Sequence, residues 1–210
     1  YDKNLLSSEQ IAYDVNLFEN FTNKLRTYGT LEAYKILQSS KDSNLPIDLG
    51  LWIGGDLEAN NLEIQRALEI LKEYPNRIQS VIVGNEVLLR KELEPLELYA
   101  YIDFMKSHTK KPVTTAETWD IWEKNPQLAS HVDFLTIHIL PYWEKVPIER
   151  YNEFIIEKYS VVEELFPNRK IVIGETGWPS HGYNNNKAVP SIKNQAQAIR
   201  GFVNLAHEKG

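Results

Sequence analysis

The chain of 210 residues predicts an α/β protein whose parallel strands belong to a closed (β/α)8 barrel. Three observations lead there. Short β-branched runs alternate with stretches of helical periodicity at intervals of roughly 20 to 40 residues, the pattern of βαβ crossovers. Two of these runs, Ser80-Val81-Ile82-Val83-Gly84-Asn85-Glu86 and Lys170-Ile171-Val172-Ile173-Gly174-Glu175-Thr176, are apolar without interruption, as strands buried on both faces are, and each ends in glycine and then a carboxylate. The open doubly wound alternative expects G-x-G-x-x-G after its first strand; Gly50, Gly54 and Gly55 do not supply it, and polar and aromatic residues follow nearly every strand instead.

In chain order, Ser7-Ser8-Glu9-Gln10 has the form of a capping box, and Ile11, Val15 and Phe18 follow at helical spacing, so the first element is an amphipathic helix. Lys24-Leu25-Arg26-Thr27-Tyr28-Gly29 reads as a short strand. Further strands are expected to begin near Ile47, Ser80, Pro112, Val132 and Lys170, each followed by a helical stretch such as 62–74 or 151–165. The last helix, 195–208, is closed by Gly210 at a C-cap position. A complete barrel takes about 250 residues. The expectation is therefore a single domain over residues 1–210 that covers strands two to seven, with the first and last strands in flanking sequence.

Composition narrows the function. A net charge of −6 and no clustered basic face argue against nucleic acid; Lys106 to Lys111 reads as a solvated helix end. No apolar stretch approaches the roughly 20 residues of a membrane span. The absence of cysteine excludes disulfides, thiolate metal sites and cysteine nucleophiles. The five histidines, at 108, 131, 138, 181 and 207, lack metal-ligand spacing, and no strand end carries a lysine suited to a Schiff base. No cofactor and no metal are expected.

The residues at or just beyond the strands are Arg26 and Tyr28; Trp52 and Asp56; Asn85 and Glu86; Glu117 and Trp119; His138, Tyr142 and Trp143; Glu175 and Trp178. In a barrel these face one end, where barrel enzymes keep their chemistry. A lone glutamate after a strand is more often a solvated loop residue, but two in matched contexts suit glycosidic cleavage, which needs one carboxylic acid to protonate the leaving oxygen and a second carboxylate to attack the sugar or activate water. Glu86 and Glu175 are the leading pair. A retaining pair is expected roughly 5 to 5.5 Å apart, an inverting pair at about 9 Å. Asn85 is either a turn former or a donor to a sugar hydroxyl. All five tryptophans fall on or just after strands, and their flat rings match the apolar faces of sugars, although large rings also fill barrel rims.

Val83-Gly84-Asn85-Glu86 together with Gly174-Glu175-Thr176-Gly177-Trp178-Pro179-Ser180 resembles glycoside hydrolase family 17. The likeness covers essentially the whole chain, since Arg26-Thr27-Tyr28-Gly29 is similar to the family's second-strand segment. It implies a (β/α)8 barrel acting mainly on β-1,3-glucans by a retaining mechanism, with Glu86 as acid/base and Glu175 as nucleophile. It also implies Asn85 and Tyr28 at the scissile sugar, Arg26 near the nucleophile, and a secreted, periplasmic or cell-envelope location. Glu117, Trp119, His138, Tyr142, Trp143 and Trp178 complete the candidate substrate contacts. Thr115-Ala116-Glu117 and His138-Ile139-Leu140-Pro141-Tyr142-Trp143-Glu144 look more like the bacterial branch, in which glucan remodelling makes transfer to another sugar the alternative to hydrolysis. A sugar-binding barrel without catalysis is the reading from another class.

Overall fold

A computed structural model describes residues 6–209. Among the described residues six strands alternate with seven helices, helix first, and the chain divides into two compact units, Tyr1–Ala116 with Gln127–Phe134, and Glu117–Pro126 with Leu135–Gly210. Gly210, the expected C-cap, lies outside the described residues.

The first unit holds α1 (Ser8–Phe18), β1 (Leu25–Arg26), α2 (Thr30–Ser39), β2 (Ile47–Leu51), α3 (Leu57–Glu73), β3 (Ile78–Asn85), α4 (Pro95–His108) and most of β4 (Val113–Thr118). Its strands pair in parallel in the order of the sequence, with Arg26 beside Asp48, Gly50 beside Ile82 and Ile82 beside Thr114. Doubly wound sheets reverse strand order partway. This unit does not, which is the winding of a barrel. β2 is buried throughout and β3 nearly so, as uninterrupted apolar runs require, and Ala67, Ile70, Leu98, Ile102 and Met105 of α3 and α4 are buried as well.

Local chemistry sets the helix starts. Ser7 Oγ accepts the Gln10 N–H, as its capping motif predicts. α3 begins at Leu57 rather than near 62 because Asp56 Oδ1 accepts the N–H groups of Glu58 and Ala59; Asp56 is a cap, not a site residue. α4 opens with Pro95 at its first position, and the Glu97 carboxylate accepts the Glu94 N–H.

The second unit holds α5 (Trp119–Lys124), β5 (Leu135–His138), α6 (Tyr151–Leu165), β6 (Ile171–Glu175) and α7 (Ile192–Lys209). β5 and β6 pair in parallel, Thr136 beside Val172. β5 starts at Leu135, later than the expected Val132, because Asp133 uses both main chain and side chain on Val113: its N–H donates to the Val113 carbonyl at 2.8 Å and its Oδ2 accepts the Val113 N–H at 2.7 Å. β6 corrects the expectation of a strand buried on both faces, since every residue in it is partly exposed. Among the described residues it is paired on one edge, along β5.

Of the two readings open to each tryptophan, sugar platform or structural filler, Trp122 takes the second. It is fully buried in α5, packs edge-on to Phe166 with ring centroids 6.3 Å apart, and donates its indole N–H to the Thr136 carbonyl at 3.0 Å. Trp122→Ala removes that volume and the indole's hydrogen bond, so a loss of about 3–5 kcal/mol is expected. The urea midpoint measures it, and a change below about 1 kcal/mol contradicts the assignment.

Candidate active site

In the first unit, β3 ends in a tight turn. Gly84 has φ +82° and Glu86 has φ +54°, so two left-handed residues flank Asn85. For glutamate that region costs of order 1–2 kcal/mol, and such strain concentrates where a side chain must be aimed. A Cβ on Gly84 would meet Val87 Cγ2 at 2.5 Å, so glycine is required there. The Glu86 N–H donates to the Ala116 carbonyl of β4 at 2.7 Å.

Asn85 lies between two arginines. Its Oδ1 accepts from Arg26 Nη2 at 2.7 Å, and its main-chain carbonyl accepts from Arg90 Nη1. Each guanidinium also covers an aromatic ring: Arg26 is 4.8 Å from the Tyr28 centroid and Arg90 is 4.6 Å from that of Trp52. Arg90 forks onto Glu92 at 2.9 and 3.0 Å, and these hydrogen bonds hold the Glu92 carboxyl below its ordinary range. On the neighbouring loops, Glu63 Oε2 accepts the N–H of Thr30 at 2.9 Å and that of Trp52 at 3.0 Å.

In the second unit, Glu175 closes β6. Its carbonyl accepts the Ile139 N–H at 3.0 Å, and its carboxylate Oε1 lies 3.5 Å from Nε2 of the fully buried His138, its partner in the strand register. Beside it, the Tyr151 and Thr176 hydroxyls are 2.8 Å apart; burial pushes the Tyr151 hydroxyl up, while the bond to Thr176 acts in the opposite sense. Among the described residues neither unit alone gathers three potential metal ligands.

The aromatic candidates differ in what they can offer. Tyr142 is buried and donates its O–H to the Tyr183 carbonyl at 2.7 Å. Trp178 is 4% exposed, packs edge-on to Tyr142 and Tyr151, and donates to the Val189 carbonyl at 2.9 Å. Trp143 is 60% exposed and touches Tyr142 edge-on at 5.0 Å; Asn185 Nδ2 fixes this segment by donating to the carbonyls of Tyr142 at 2.8 Å and Trp143 at 3.3 Å. Trp119 begins α5, donates to Glu144 Oε1 at 3.2 Å and carries the Lys158 ammonium 4.5 Å from its ring. Glu117 is fully buried on β4.

Thus the first unit gathers Arg26, Tyr28 and Asn85 next to Glu86, and the second gathers His138 with Glu175 and Tyr142 with Trp143 and Trp178. Sequence reasoning missed Arg90, Tyr151 and Asn185. The signal for Arg90 was its place four residues after Glu86 and two before Glu92; Tyr151 and Asn185 carry none.

Parallel strands wound in sequence order, with a glutamate closing β6 and another just past β3, are what a barrel glycosidase requires. The chain belongs to the family of the BtgE/BtgC glycoside hydrolase domain, whose family model matches residues 1–210. Among its relatives are the probable family 17 glucosidase SCW4 of Saccharomyces cerevisiae, 26% identical over 92% of this chain, and a glucan 1,3-beta-glucosidase of Schizosaccharomyces pombe, 27% identical over 85% of it. The chain spans 52% of the length of the first and 62% of the second. Its fold superposes on an active-site mutant of the Rhizomucor miehei beta-1,3-glucanosyltransferase in complex with laminaritriose, with a TM-score of 0.90 and 26% identity over all of this chain and 81% of that one. The family 17 resemblance is thereby borne out, and the organisms named are fungi. Among the described residues no helix is long and apolar enough to cross a membrane.

Proposed function

We propose that this chain is the catalytic domain of a retaining glycosidase acting on β-1,3-glucan. The observation that carries this reading is a glutamate in each unit at the carboxyl end of a parallel strand, where barrel enzymes place their reacting groups. Glu175 attacks the anomeric carbon, the bond from that carbon to the glycosidic oxygen breaks, and Glu86 gives its proton to the departing oxygen, leaving a glucosyl-enzyme ester. Glu86 then takes a proton from water, whose oxygen displaces Glu175 and releases a sugar of retained configuration. Tyr28 and Asn85 contact the sugar at the scissile bond, Arg26 lies near the nucleophile, and Trp119, Tyr142, Trp143 and Trp178 are further substrate contacts; Glu117 and His138, which present no surface, shape the site from behind. Of the tryptophans among these, Trp143 has the most exposed ring to stack on a glucosyl face. A polymeric substrate and the family resemblance support a secreted or cell-envelope location.

A second reading replaces water with the hydroxyl of an acceptor sugar, making the enzyme a glucanosyltransferase. The likeness to the Rhizomucor miehei transferase supports it. Mass spectrometry of a β-1,3-gluco-oligosaccharide incubated with the full-length protein, beside Glu175→Gln, separates the readings: shorter products mean hydrolysis and longer ones transfer. Binding with no product in either sample overturns both in favour of a sugar-binding barrel.

A further inference from the structure

The peptide group between Asn85 and Glu86 is held at both polar ends. Its carbonyl accepts from Arg90 Nη1, and its N–H donates to the Ala116 carbonyl at 2.7 Å. The next carbonyl, that of Glu86, accepts the Arg90 N–H at 2.8 Å. The two peptide planes that define the Glu86 backbone are thus both tied to Arg90, and Glu86 sits between them at φ +54°. Left to itself a glutamate would leave this region. Arg90 is in turn immobilised: it forks onto Glu92, reaches the Ile53 carbonyl at 3.4 Å, and stacks on Trp52. A planar five-donor fork can serve a carbonyl, a carboxylate and an aromatic face together, which a lysine ammonium cannot.

From this geometry we infer that Arg90 is a positioning residue for the reaction, holding Glu86 in the left-handed turn that aims its carboxyl at the leaving oxygen. The inference rests on the reading of Glu86 as acid/base. Arg90 makes no contact with the sugar in this role. It acts through the main chain, so its removal lets the turn relax and carries the carboxyl away from the oxygen it must protonate, where a displacement near 1 Å is worth up to about 10²-fold in rate.

A purely structural arginine would lower activity on every substrate alike, whereas a misplaced acid matters only when the leaving group needs a proton. The test therefore compares kcat/KM on a β-1,3-gluco-oligosaccharide with that on a dinitrophenyl β-glucoside, whose leaving group departs unprotonated. It uses the full-length protein with Arg90→Gln, Arg90→Lys and, as reference, Glu86→Gln. The expected result is a loss of roughly 30- to 100-fold on the oligosaccharide for Arg90→Gln against about threefold or less on the aryl glycoside, with a smaller loss but the same split for Arg90→Lys. Arg90→Lys keeps the cation and serves as the reading if Arg90→Gln does not fold. Equal losses on both substrates, or none, overturn the proposal for Arg90 while a split in Glu86→Gln leaves the acid/base reading standing. No split in Glu86→Gln overturns that reading, and the inference with it.

Discussion

Glu175→Ala and Glu86→Ala, each given a dinitrophenyl β-glucoside and excess azide, are expected to release glucosyl azides of opposite configuration. In Glu175→Ala the missing carboxylate leaves room for azide to attack the anomeric carbon directly, a single displacement that yields the α-azide. In Glu86→Ala the aryl group leaves without a proton, Glu175 forms its ester, and azide, which needs no general base, displaces it to give the β-azide. Without azide, Glu175→Ala is expected to lose on the order of 10⁴- to 10⁶-fold in kcat and Glu86→Ala about 10²- to 10⁴-fold on an oligosaccharide. NMR of the anomeric proton distinguishes the two azides. The same anomer from both variants would sink the division of labour between the carboxylates.

Gly50→Ala is expected to be the most destabilising small substitution in the first unit. A methyl at Gly50 would lie 2.1 Å from the Thr27 carbonyl oxygen, 2.7 Å from its carbon and 2.8 Å from Tyr28 Cα. All three are main-chain atoms just past β1, so no side-chain rotation relieves the contact and the segment must move away from β2. That movement strains the Gly50 N–H bond to Thr27 Oγ1 at 3.1 Å and the Thr27 N–H bond to the Asp48 carbonyl at 3.1 Å. Overpacking a core costs about 1–3 kcal/mol where side chains can adjust. With backbone on the other side about 3–5 kcal/mol is expected, a fall in Tm of roughly 10 °C for a chain of this size. A melting curve within about 2 °C of the parent would show that the strands adjust freely.

Much of the fold was legible because burial leaves a pattern in the sequence. β2 starts at the expected Ile47, β3 takes in the predicted run from Ser80 to Asn85 and begins two residues ahead of it, and α6 matches 151–165 end to end. Where the reading slipped, one polar side chain had replaced a main-chain partner: Asp56 capping α3, Asp133 standing in for a strand residue ahead of β5. Trp122 stayed open to both readings, since a large ring just after a strand reads the same whether it faces sugar or core. In the site, the two glutamates stood out through their glycines. The left-handed backbone of Glu86 did not, because no rule of propensity places a glutamate there; it follows from Arg90 and Ala116 gripping one peptide group, a contact that exists only once the turn is made.

Glu63 gives the first unit a property that no single loop has. One oxygen on α3 anchors both the Thr30 N–H, where α2 starts, and the Trp52 N–H, just past β2. The two loops are therefore mechanically coupled: an insertion that pulls either main chain off that oxygen also disturbs the other's anchor. Substitutions of exposed side chains such as Tyr28 and Trp52 leave that shared anchor untouched, whereas a change in backbone length does not.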